Sequence, residues 1–222
     1  LARAWWLLLA YLGGRVEWLR AMQIYGESAI DIPQSTQREQ IEDLFLVPHH
    51  NGSISAYPPV IEAIKISDVI LIGPGDLFTS IIASLIVPGI KEAIQSTNAV
   101  IFYILNIMTK FGETHNFKGN DFVQKLETYI GRQVDGIICN NRKPADRLLK
   151  KYLAEKSEFV EIEQLEKRIN NRLIYADDLL DSSGEILRHD SKKLASLIQS
   201  IIFKKYLFKC EKLIDEPIWM QF

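Results

Sequence analysis

The octapeptide Gly73-Pro74-Gly75-Asp76-Leu77-Phe78-Thr79-Ser80 follows the apolar run Val69-Ile70-Leu71-Ile72, a pairing that suits anion binding. Gly73 and Gly75 lack a Cβ, so backbone N–H groups there can approach a ligand, and Thr79 and Ser80 place hydroxyls in the first turn of the next helix. A phosphate is the natural guest. On this stretch alone an ordinary strand-to-helix turn is an equal alternative, because short glycine motifs are weak evidence. Two later apolar runs end the same way. Ala99–Leu105 empties into Asn106-Ile107-Met108-Thr109-Lys110-Phe111-Gly112-Glu113-Thr114, and Val134–Cys139 ends in Asn140-Asn141. Glu113, Asp76 and Asp121 are the acidic candidates near these exits. His115 is the histidine nearest to them; His49 and His50 fall in a loop.

The elements that must position these residues follow from the same runs. Continuous Val/Ile stretches without alternation predict parallel strands covered on both faces. Helical patterns separate them, so right-handed crossovers lay the strands parallel and bring three carboxyl ends to one edge, where open α/β sheets bind ligands. The predicted class is α/β, a doubly wound, mostly parallel, Rossmann-like three-layer sheet. Leu44–Val47 reads as a further strand, and Leu173–Ala176 as the last. Predicted helices run from Pro58, with prolines at its start, through Ile66; over Leu77–Ile86; past the Pro88-Gly89 break through Ile94; and over Asn120–Ile130, with Gly131 as its stop. Asp190 is the expected N-cap of a helix over Lys192–Phe203. The charge-rich stretch Lys143–Arg172 reads as a solvated face.

Composition narrows the functional class. At 47% hydrophobic and 24% charged, 222 residues suffice for one sizeable core. A net charge of −2 without a basic block argues against nucleic acid as partner. The longest apolar runs fall short of the ~20 residues that cross a bilayer, so no membrane association is expected. Cys139 and Cys210 are too few and too far apart for a zinc cluster or disulfide framework, and Cys139 reads as a buried thiol. No strand-linked Gly-x-Gly-x-x-Gly with a downstream acid supports a nicotinamide oxidoreductase.

The blocks Gly73–Ser80, Leu85–Ile90, Asn106–Thr109 and Gly112-Glu113-Thr114, with Gly26-Glu27-Ser28 upstream and His189-Asp190 near the end, resemble the signatures of the gluconeogenesis factor (YvcK-like) family. That family is related to the 2-phospho-L-lactate transferases (CofD-like) of coenzyme F420 synthesis. The resemblance covers residues 23–203 and leaves 1–22, an expected N-terminal helix, and the tail 204–222 poorly matched. Departures are Asp76 where the family commonly has Ser, Phe78 for Tyr, Ala83-Ser84 for Pro-Asn, and Asp121-Phe122 for Asp-His. The family's N-terminal Gly-rich phosphate turn and Asp-rich loop have no counterpart before Gly26. A fragment lacking those strands is the simplest account, a shortened paralogue the alternative.

The resemblance implies a regulatory factor of carbon metabolism and cell-wall growth that binds a nucleotide-sugar of the UDP type; composition fits a cytoplasmic domain, and an unpaired sheet edge with an uncovered Trp5-Trp6 helix leads to the expectation of a homo-oligomer. The transferase branch implies instead an enzyme moving a phospholactyl group from a guanosine diphosphate donor to a deazaflavin. Binding residues implied are Gly73, Pro74, Gly75, Asp76, Thr79, Ser80, Asn106, Met108, Thr109, Gly112, Glu113, Thr114, Asn140 and Asn141. No obligatory cofactor follows; Mg²⁺ is the ion the intact protein would admit. Valine at Gly75 is expected to block the backbone approach of the ligand.

Overall fold

The computed structural model describes residues 9–10, 24–32, 38–48, 53–162, 172–181 and 184–214. Short strands β1 (Leu9–Ala10) and β2 (Ile24–Tyr25) pair antiparallel, and α1 (Glu27–Asp31) follows. The expected helix over 1–22 lies outside the described residues except at Leu9–Ala10, which is strand. After α2 (Pro58–Ile66) come β3 (Val69–Ile72), a π-helical turn over Leu77–Ile82 leading into α3 (Ala83–Leu85), α4 (Ile90–Ser96) and β4 (Val100–Ile104). Then follow α5 (Gly119–Ile130), β5 (Gly136–Asn140), α6 (Asp146–Ala154), β6 (Leu173–Asp177) and α7 (Ser191–Ile214).

The four strands β3-β4-β5-β6 lie in sequence order, all parallel, with Ile72 opposite Tyr103 and Ile104 opposite Ile138. Alternate residues of each strand serve opposite layers, because strand side chains have a period of two. Ile101, Tyr103, Ile137 and Cys139 face a core shared with Phe78, Ile82, Phe122 and Leu126, whereas Phe102, Ile104 and Ile138 face Leu194 and Ile201 of α7. Both faces are thus covered, and the predicted α/β class holds.

Local signals explain most boundaries. Pro58 and Pro59 open α2, where missing N–H groups cost no helical bond. Gly131 closes α5 at a left-handed φ of 69°. Asp190 Oδ1 accepts the backbone N–H groups of Lys192 and Lys193 at 2.9 and 3.1 Å, capping α7 as predicted, although α7 runs on to Ile214.

Two expectations fail. Leu44–Val47 forms no strand among the described residues, only a single bridge at Phe45; the Leu44 N–H donates to Asp43 Oδ1 at 2.8 Å and to the Tyr129 hydroxyl at 3.0 Å, and side-chain capture of this kind competes with strand pairing. β3 is covered less fully than expected: Ile70 and Ile72 pack on one core and Val69 on the other, but Leu71 does not. It is the edge strand of the described sheet, and Leu71 is 41% exposed, because burial of a strand depends on its neighbours as well as its own apolarity. Among the described residues no single helix is long and apolar enough to cross a membrane.

Candidate functional site

Parallel register places the ends of β3, β4 and β5 on one edge, and side chains tie the first two together. The Asn106 Nδ2 amide donates to the Gly75 carbonyl at 2.8 Å, while the buried Tyr103 hydroxyl donates to Asn106 Oδ1 at 3.2 Å. The turn between β3 and α3 is built by Gly73, at a φ of 93°, and by a cis bond to Pro74. Asp76 caps it through its carbonyl, which accepts N–H groups from both Ser80 and Ile81, so the turn widens to π geometry. This widening carries Thr79 inward rather than toward the mouth.

At the centre stands Lys110, which sequence reasoning passed over as a candidate. Its ammonium pairs with Asp31, with Asp76 Oδ2 at 2.7 Å and with Glu113 Oε1 at 3.0 Å. The Thr79 hydroxyl donates to Glu113 Oε1 at 3.2 Å, and the Lys110 N–H donates to Thr114 Oγ1 at 3.0 Å. Glu113 is fully buried; burial lifts its carboxyl above the usual range, against the pull of Lys110. Burial pulls Lys110 down, but Glu113, Asp31 and Asp76 overcome it, so the ammonium is held above its ordinary value. Arg38, lowered by burial, is drawn the other way by Glu113 and Asp31 and donates to the Ala29 carbonyl at 3.0 Å.

The remaining candidates divide between this cluster and the framework. Thr109 is buried, and its hydroxyl accepts the Glu158 N–H at 2.8 Å, while its own N–H donates to the Glu158 carbonyl at 2.8 Å. Met108 bridges to Phe159. The Gly112 N–H donates to His115 Nδ1 at 3.1 Å; this fastens a turn, and burial lowers the imidazole. Asn140 turns its amide to Arg142 and Leu179, tying the β5 and β6 exits together. Asn141 and Ser80 are exposed, as is Pro74. Asp121 is not brought to the cluster: its carboxylate accepts the Lys118 N–H at 2.7 Å and caps α5.

The oxygens of Asp31, Asp76 and Glu113 lie within 4.8 Å of one another, a donor set that suits Mg²⁺. The Lys110 ammonium already bonds all three, so Lys110 and a divalent ion are alternatives at this position. The carboxyl best placed for acid–base work, Glu113, is wholly enclosed. The arrangement thus holds two strand exits rigidly together and leaves Asp76, 43% exposed, as its outermost charge.

The profile of the family described as 2-phospho-L-lactate transferase CofD matches residues 13–180. A candidate gluconeogenesis factor of Thermotoga maritima is 41% identical over 153 residues, 67% of this chain and 48% of its own length. The gluconeogenesis factor of Bacillus subtilis is 33% identical over 180 residues, 81% and 55% respectively. A solved protein of the UPF0052 family from Bacillus halodurans superposes with a TM-score of 0.70 at 32% identity, covering 80% of this chain and 55% of that one. The chain thus spans about half the length of the curated relatives it matches.

Proposed function

The chain belongs to the 2-phospho-L-lactate transferase CofD family, and on that premise we propose that it is a binding factor of the gluconeogenesis-factor kind. It holds a nucleotide-linked metabolite, a UDP-sugar, along the edge formed by Gly73–Thr79 and Asn106, and so regulates carbon metabolism and cell-wall growth in the cytoplasm. The observation that carries this reading is the enclosure of Glu113. With its acid buried and its ammonium shared among three carboxylates, the site favours positioning over proton transfer, which needs a group within reach of the reacting atom.

The name of the matched family favours a second reading, a transferase that moves a phospholactyl group from a guanosine diphosphate donor to a deazaflavin alcohol. Such chemistry needs positive charge free to neutralise the transferred phosphate, whereas the Lys110 ammonium is already shared by three carboxylates. Calorimetric titration with UDP-glucose, UDP-N-acetylglucosamine, GDP and NAD separates the two. Binding of a UDP-sugar in preference to GDP is the expected result; preference for GDP, with turnover of a phospholactyl donor, would replace the first reading by the second.

Asp76 sets the affinity in either case. Its half-exposed carboxylate competes with a ligand phosphate for Lys110. Asp76→Ser is expected to tighten binding of a nucleoside diphosphate roughly two- to fivefold, the size of a partly solvated ion pair. Unchanged affinity would place the phosphate away from Lys110.

A further inference from the structure

Among the described residues, His189 alone keeps an enclosed side-chain polar atom without a hydrogen-bond partner, its Nε2. The imidazole is held from its other side, by a bond to the Leu105 backbone. The Leu105 N–H already donates to the Ile138 carbonyl at 2.9 Å, so the Leu105 carbonyl is the acceptor and His189 Nδ1 the donor. That bond assigns the tautomer: the proton sits on Nδ1, and Nε2 is a bare lone pair.

A short antiparallel pairing of the chain brings the imidazole there. Leu180 bridges His189, the Asp190 N–H donates to the Leu179 carbonyl at 2.8 Å, and the Asp181 N–H donates to the Arg188 carbonyl at 3.0 Å. This hairpin is seated on the end of β5, because Asn140 Oδ1 accepts the Leu179 N–H at 3.1 Å. His189 thus joins the hairpin to the exit of β4. The Leu105 carbonyl and the Asn106 N–H belong to one planar peptide unit, so a bond to the first orients the second. Asn106 in turn clasps the Gly75 carbonyl. The charged neighbours of His189 are turned to partners of their own: Arg188 to Asp181, Asp190 to the first N–H groups of α7, and Lys193 to Asp178. Burial holds the imidazole below its ordinary value, against the smaller opposite pull of the Leu105 bond.

We propose that His189 is a positioning residue for the ligand edge, its neutral imidazole fixing the Leu105–Asn106 peptide and, through it, the clasp of Asn106 on Gly75. Protonation would make Nε2 a charged donor without an acceptor in an enclosed site, a costly state that releases the hairpin from β4. Because the folded value lies below the unfolded one, the latch is complete above the unfolded value and is lost as pH falls through the folded one. Its consequence for a ligand rests on the function proposed above; the latch itself does not.

Nuclear magnetic resonance of the isotope-labelled chain, followed from about pH 8 to about pH 5, tests the latch without any ligand. The ring nitrogens of His189 should report a proton on Nδ1 alone at neutral pH, and the amide signals of Asn106 and Gly75 should shift in step with the imidazole. In His189→Asn, which keeps an N–H donor and cannot titrate, that step should vanish. A step that persists there belongs to another group, such as the buried Glu113, and overturns the proposal; so does an imidazole that titrates with no response at Asn106. Calorimetry with UDP-glucose reads the consequence. Affinity should fall roughly tenfold from neutral to acid pH in wild type, be weakened at every pH in His189→Leu, and be recovered without the pH dependence in His189→Asn. A wild type that binds no nucleotide yet shows the coupled step would remove the proposed function and support the latch. Binding indifferent to pH and to both substitutions would remove the positioning role.

Discussion

Lys110→Met is expected to lower the unfolding free energy at neutral pH by about 3 kcal/mol, the low end for breaking a buried ion pair, because the lysine is 27% exposed. Methionine keeps the stem packed but leaves Glu113 fully enclosed beside Asp31 and Asp76 with no opposing ammonium. The loss should depend on pH. Burial already raises the Glu113 carboxyl, and removing Lys110 takes away the main influence holding it down. A carboxyl whose folded value lies above its unfolded one contributes most at acid pH, and that contribution is lost as pH rises through the raised value. Urea midpoints of variant and wild type should therefore lie closer at about pH 5 than at neutrality. A gap that does not change with pH would mean that the cluster relaxes around the missing charge or admits water to Glu113.

Gly73→Ala should destabilise the fold by roughly 1–3 kcal/mol through backbone strain alone. Gly73 sits at a φ of 93°, and an added Cβ would lie 3.0 Å from the Ile104 carbonyl oxygen, a backbone atom that cannot turn aside. Gly75, where the sequence placed the sensitive backbone approach, has no positive φ, and its Cβ would meet Ser80 Cβ at 3.1 Å. Gly75→Ala should therefore be the milder change by thermal melting, although both glycines belong to one turn. Equal losses would show that the turn shifts as a unit.

The parallel α/β sheet was legible in the residues because its signals are local. Apolar runs of strand length at Val69–Ile72, Val100–Ile104 and Gly136–Asn140 are separated by helical periods, and this leaves one economical connection. Punctuation was legible as well: the prolines opening α2, Gly131 closing α5 and Asp190 capping α7 each act within a few residues. The polar exits followed from where the apolar runs stop.

The centre of the site was not legible, because its members are distant in the chain. Lys110 meets Asp31 across a separation of 79 residues and Asp76 across 34, and nothing in either segment names the other. The hint available was local, an acid three residues beyond Lys110, and Glu113 was read there as a candidate without its lysine. The stretch from Leu44 is reduced to a single bridge at Phe45, and its first N–H is taken by Asp43 Oδ1 together with the distant Tyr129 hydroxyl that the folded chain brings to it. Local residue types determined which segments became strands and helices and where their polar ends fall, since propensity and periodicity act over a few residues. Only the tertiary structure decided that Lys110 gathers three carboxylates, that Thr79 turns inward and that β3 keeps an open edge. Those outcomes depend on which distant groups share a low-dielectric interior and which backbone groups find a partner.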